Sequence, residues 1–177
     1  MTSGRFGAWS AEVPARRAVL VGLTVALAAL AAGVLAQRLS QSSSAPTPAA
    51  AAIVRLLNAR RAAAHLEPLR VDGVLSSLAR IHNRDELRGD FFAHDAPTGQ
   101  TFAERLAYLH RREIGEVLAW GTGGFATPAG IVSLWMASPE HRRIILTPEL
   151  RRVGVSVLAG RFQGERSARV ATADFST

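Results

Sequence analysis

Nineteen consecutive residues, 18–36, carry no charge and only one polar side chain, Thr24. Coiled as a helix they reach about 28 Å, close to the hydrocarbon thickness of a bilayer. No amphipathic stripe runs through them, so a buried helix of a globular core is a poor fit. Two membrane readings stay open. The run is longer than a usual signal-peptide core, which favours an uncleaved anchor; Val34-Leu35-Ala36 before Gln37 is also a passable small-residue cleavage site. Arg5, Arg16 and Arg17 precede the run and only Arg38 follows closely, so in both readings the C-terminal part faces outside. The chain then divides into a cytoplasmic segment (residues 1–17), the anchor or signal helix (18–36), a Ser/Pro/Ala linker (37–49) and one domain (50–177).

Composition narrows the chemistry of that domain. There is no cysteine, which excludes disulfides, thiolate metal ligands, a thiol nucleophile and a lipid-modified N-terminal cysteine. All 21 basic residues are arginine. From Ala45 onward 17 arginines face 13 acids, a modest +4. The arginines lie in scattered doublets without interleaved aromatics, which argues against a nucleic-acid partner. They fit a solvated surface with mild attraction to anionic envelope polymer or lipid.

Along the domain, Ile53, Leu56 and Leu57 recur at helical spacing up to about His65, and Pro68 breaks the run. Asp72 opens a second helix whose stripe is Val74, Leu75, Leu78, Ile81 and His82. His82 there reads as a packed histidine, not a ligand. Phe91-Phe92 and the turn Pro97-Thr98-Gly99 bracket His94 in a loop fixed at both ends, and Thr101 caps a short helix. Residues 113–121 read as an extended segment with Glu116 and Leu118 on one face and Val117 and Ala119 on the other. Its carboxylate is either solvated on an edge strand or presented to a pocket. Thr127-Pro128 starts another helix, and Ser138-Pro139-Glu140 starts the next, placing His141 in a first turn. There the helix dipole favours the neutral imidazole. Residues 152–159 and 169–175 alternate as strands and form a hairpin through residues 160–167. Helices first and strands last, without βαβ rhythm, predict an α+β domain with an antiparallel sheet. P-loop, HExxH and GxSxG motifs are absent, and there is no internal repeat.

Three spaced motifs, FFxHxxPxG around His94, GExxAxG around Glu116 and WMxSPxHRxxIL around His141, are followed by Val153-Gly154-Val155. In order and spacing they resemble the CAP superfamily of cysteine-rich secretory, antigen 5 and pathogenesis-related proteins, in its cysteine-free bacterial SCP-domain branch. The resemblance runs from about residue 50 to 175. It implies an α-β-α sandwich with a central antiparallel sheet. It also implies a cleft carrying His94, Glu116 and His141, with Ser138 beside them, in which His94 and His141 would be the ligands of a divalent metal such as zinc. Two positions depart from the family pattern. Val117 replaces the asparagine of the Gly-Glu-Asn motif, and Ser138 stands where many eukaryotic members carry a second acid. No cofactor is required by this reading, and a weakly bound zinc is the one it allows. The function implied is that of an exported or membrane-tethered envelope protein whose cleft binds a lipid-like, glycan or protein ligand. The alternative is a metal-dependent hydrolase of peptide or cell-wall material. A Ser138–His141–Glu116 hydrolase can be drawn, but Ser138 reads as a helix cap and no oxyanion element is recognisable.

Overall fold

The computed structural model describes residues 46–177. The stretch read as an anchor or signal helix, and all but the last four residues of the linker, lie outside the described residues. Among those described, no helix is long and apolar enough to cross a membrane.

Five α-helices and four strands follow one another among the described residues: α1 (Pro48–Ala63), β1 (Arg70–Val71), α2 (Gly73–Gly89), α3 (Phe102–Leu106), β2 (Ile114–Gly121), α4 (Pro128–Ala137), α5 (Pro139–Ile145), β3 (Arg152–Phe162) and β4 (Glu165–Ser176). Each helix has a side-chain cap at its start: Thr47, Asp72, Thr101, Thr127 and Ser138 accept from the backbone of the first turn. Pro48, Pro128 and Pro139 sit in the first turn, where a missing N–H costs nothing. Thr101 and Glu104 close a full capping box. Helix α1 starts two residues inside the stretch read as linker.

The sheet order is β1-β3-β4-β2. β3 and β4 form a long antiparallel hairpin and β2 lies antiparallel to β4. The purely antiparallel sheet expected from sequence needs one correction. β1, two residues long, pairs parallel to β3, with Arg70 beside Arg152 and Val71 beside Val153, so the sheet is mixed. A strand that short carries no alternation to read. The hairpin is also tighter than the expected eight-residue turn. Gln163 and Gly164, both with positive φ, make a two-residue reversal of the kind favoured between twisted strands.

Helices cover both faces. On one, Val153 and Val155 of β3, Ala171, Ala173 and Phe175 of β4, and Val117 and Ala119 of β2 meet Ile53 and Leu57 of α1. Ile131, Val132 and Trp135 of α4 and Ile145 of α5 complete this main core. On the other face α2 lies directly on the hairpin, and Gly154 makes that possible. A Cβ at Gly154 would fall 2.0 Å from the Ser76 backbone nitrogen and 2.4 Å from the Leu75 side chain. Asn83 of α2 donates to the Val170 carbonyl and accepts from the Thr172 hydroxyl, both on β4. That second face is therefore partly polar, and it is the face to which Glu116 belongs.

Candidate functional site

Strand alternation sends Val117 into the main core and Glu116 to the α2 side, as the period of two requires. β2 is an edge strand, yet Glu116 is only 3% exposed. The carboxylate is thus presented inward and not to solvent. One oxygen accepts from His94 Nδ1 at 2.8 Å, and the other is paired with Arg105 Nη2. Arg105 Nη1 also donates to the His94 carbonyl at 3.1 Å, so a single guanidinium grips both the acid and the loop that carries the imidazole. His82 Nε2 adds a third fixing point by donating to the neighbouring Ala93 carbonyl at 3.0 Å. His82 is buried, a packed histidine as its stripe suggested. The His94 side chain, by contrast, is 51% exposed. The arrangement is a half-exposed imidazole standing on a buried, neutralised carboxylate. With Nδ1–H committed to Glu116, the Nε2 lone pair is the free end of the ring.

Two further acids lie behind. Asp174 pairs with Glu116 across the β2–β4 ladder, and Glu86 of α2 sits one helical turn from His82. Both are fully buried. The three acids divide by environment. Burial alone would raise Glu116, but the His94 hydrogen bond and the Arg105 charge outweigh it and hold the carboxyl below its ordinary value. Burial, reinforced by the charge on Glu116, pushes Asp174 well up and Glu86 up to about 8. One ionised carboxylate with two protonated neighbours is the state that a single arginine can balance.

His141 sits in the first turn of α5, and its backbone N–H reaches the Ser138 hydroxyl at 3.5 Å. Its imidazole is held below its ordinary pKa by burial first and the His94 charge second. The direction is the expected one, and burial and the neighbouring ring are its causes. His94 moves the other way. Its hydrogen bond to Glu116 raises it against the opposing effect of burial, and Glu140 adds to the rise. The two histidines therefore act on one another, though His141 does not line the cleft that opens at His94. That cleft encloses about 680 Å3. Phe102, Ile114, Gly115, Ile144 and Leu150 line it beside His94 and Glu116, with Arg112, Glu113 and Arg143 also contributing. Ser138 remains the α5 cap, with no general base shown at its hydroxyl.

As a metal centre the donor set falls short. Both Glu116 oxygens are engaged, and Ser138 supplies no carboxylate. Two imidazoles are left, and among the described residues no group of three His, Asp or Glu side chains is placed to hold a metal ion.

Sequence reasoning missed Arg105, Asp174 and Glu86. Each had a phase that could have revealed it. Arg105 falls on the inward stripe with Phe102, Leu106 and Leu109. Asp174 shares a strand face with Val170 and Thr172, and Glu86 continues the stripe of Leu75, Leu78 and His82.

The CAP family, described as the cysteine-rich secretory protein family, matches the chain over residues 54–171. The chain belongs to this family, in its bacterial SCP-domain branch. A Bacillus subtilis protein, YkwD, is 34% identical over 125 residues, covering 68% of this chain and 48% of that protein. A Bacillus anthracis extracellular protein containing an SCP domain superposes with a TM-score of 0.62 at 24% identity, over 75% of this chain and 45% of its own. An outer surface protein of Borrelia burgdorferi shares the fold with a TM-score of 0.58 at 17% identity, over 71% of this chain and 90% of its own. The CAP chain described here thus spans about half the length of the two Bacillus relatives.

Proposed function

We propose that this CAP domain works outside the cytoplasmic membrane as a binding module and that its cleft takes a lipid-like ligand with an apolar body and an anionic end. The observation that carries the reading is the cleft itself. Phe102, Ile114, Ile144 and Leu150 give it an apolar part, the His94–Glu116 pair lines it beside them, and the positive charges of Arg112 and Arg143 outnumber the one of Glu113. Apolar burial supplies the affinity and the arginines and His94 orient the charged end. The fold shared with two relatives, one extracellular and one of the outer surface, supports an envelope location. Residues 18–36 would tether or export the domain.

The hydrolase alternative finds less support, because Ser138 is occupied as a cap and a third metal donor is lacking among the described residues. Calorimetric titration of the full chain with dodecanoate tests the binding reading. Saturable binding is expected, weakened about tenfold or more in Ile144→Asp and in Arg143→Gln, with unchanged melting temperature in the latter. Absence of saturable heat, or wild-type affinity in both variants, would refute it.

A further inference from the structure

A second cavity, sharing no residue with the cleft, lies where β1 joins the sheet. It encloses about 300 Å3 and is lined by Glu67, Pro68, Arg70, Arg151 and Arg152. Three arginines and one acid thus line it. The backbone forces them together: Arg70 N–H donates to the Arg151 carbonyl at 2.9 Å, and the β1–β3 register sets Arg70 beside Arg152. Like charges on neighbouring strands repel unless something neutralises them. Internal partners do so only in part. Arg152 reaches Asp72 at 3.4 Å, and Arg151 spends its Nε on the Pro148 carbonyl at 2.8 Å. Arg70 is exposed and has no side-chain hydrogen bond or ion pair among the described residues. Behind the wall lies a fourth positive charge. Arg61 is fully buried, donates through Nε to the Glu67 carbonyl at 2.9 Å, and has an Nη2 with no partner. Burial first, and the charge of Arg151 second, oppose protonation of Arg61.

We infer that Arg70, Arg151 and Arg152 form an anion-binding site for a phosphate group. Arg70 of β1, Arg152 of β3 and Arg151 just before β3 line one cavity, and guanidinium forks suit a tetrahedral oxyanion, which accepts paired N–H bonds and offsets the repulsion among them. The anchoring of Arg151 by Pro148 fixes one fork before the ligand arrives, while Arg70 is free to close over it. The phosphate can be a free one or the headgroup of an anionic lipid; both present the same oxygens.

The test uses the full chain and inorganic phosphate at constant ionic strength, followed by the NMR shifts of the arginine Nε–H groups. Saturable shifts of Arg70, Arg151 and Arg152 are expected, with affinity about tenfold or more lower in Arg70→Gln and an unchanged melting temperature. Arg166→Gln, exposed near the turn of the β3–β4 hairpin and away from both cavities, leaves phosphate binding as it was. Sedimentation with phosphatidylglycerol vesicles, against phosphatidylcholine controls, separates the sources. Retention lost in Arg70→Gln assigns the lipid headgroup, and saturable phosphate shifts without Arg70-dependent retention assign free phosphate. Shifts that rise without saturating, or equal phosphate affinity in wild type and Arg70→Gln, overturn the site.

Discussion

Glu116 holds two partners with two oxygens, and the energetic weight of the pair falls on Arg105. With Arg105 buried, its replacement leaves Glu116 ionised without a counter-charge and frees the His94 carbonyl. Arg105→Met is expected to cost about 3–5 kcal/mol of stability, read from urea unfolding. Glu86 gives a pH signature. Its folded pKa of about 8 lies above the ordinary 4.5, so the folded state binds the extra proton between those values. Its contribution is complete below 4.5 and is lost as pH rises through about 8. Glu86→Gln, which cannot ionise, is expected to flatten the loss of stability over that window in denaturation curves recorded at several pH values.

At the level of elements, α2 on the β3–β4 hairpin is the contact with least tolerance. A methyl at Gly154 meets backbone, not a flexible side-chain end, so α2 must lift away. Gly154→Ala is expected to destabilise by more than about 4 kcal/mol, seen as loss of the cooperative thermal transition. The cap of α5 is milder. Ser138→Ala removes the acceptor of the His141 N–H and is expected to cost about 1 kcal/mol in thermal unfolding. Such elements were legible because caps and prolines mark helix starts directly: Asp72, Thr101, Thr127 and Ser138 each stand where the helix begins. The ends of the hairpin were not. Arg161, Glu165 and Arg166 continue the strands on solvent-facing positions, so their charge reads as loop. β1 exists only through pairing with β3, a long-range partner that local sequence does not announce.

For the whole molecule, the CAP fold brings loop, edge strand and two helix positions to one place. The pairing of His94 with Glu116 joins motifs 22 residues apart, and no spacing rule foretold it. It was legible through the family resemblance, while Arg105, Asp174 and Glu86 were hidden because a charged residue reads as surface until its phase is checked against the apolar stripe. The Glu116 hydrogen bond holds the pKa of His94 up, while burial and then the His94 charge hold that of His141 down, and a pH titration of the histidine ring protons by NMR tests this most directly. A His94 midpoint above 6.5, a His141 midpoint below it, and a rise of the His141 midpoint in His94→Ala are expected. Two histidines titrating together near 6.5, with His141 indifferent to the loss of His94, would contradict it.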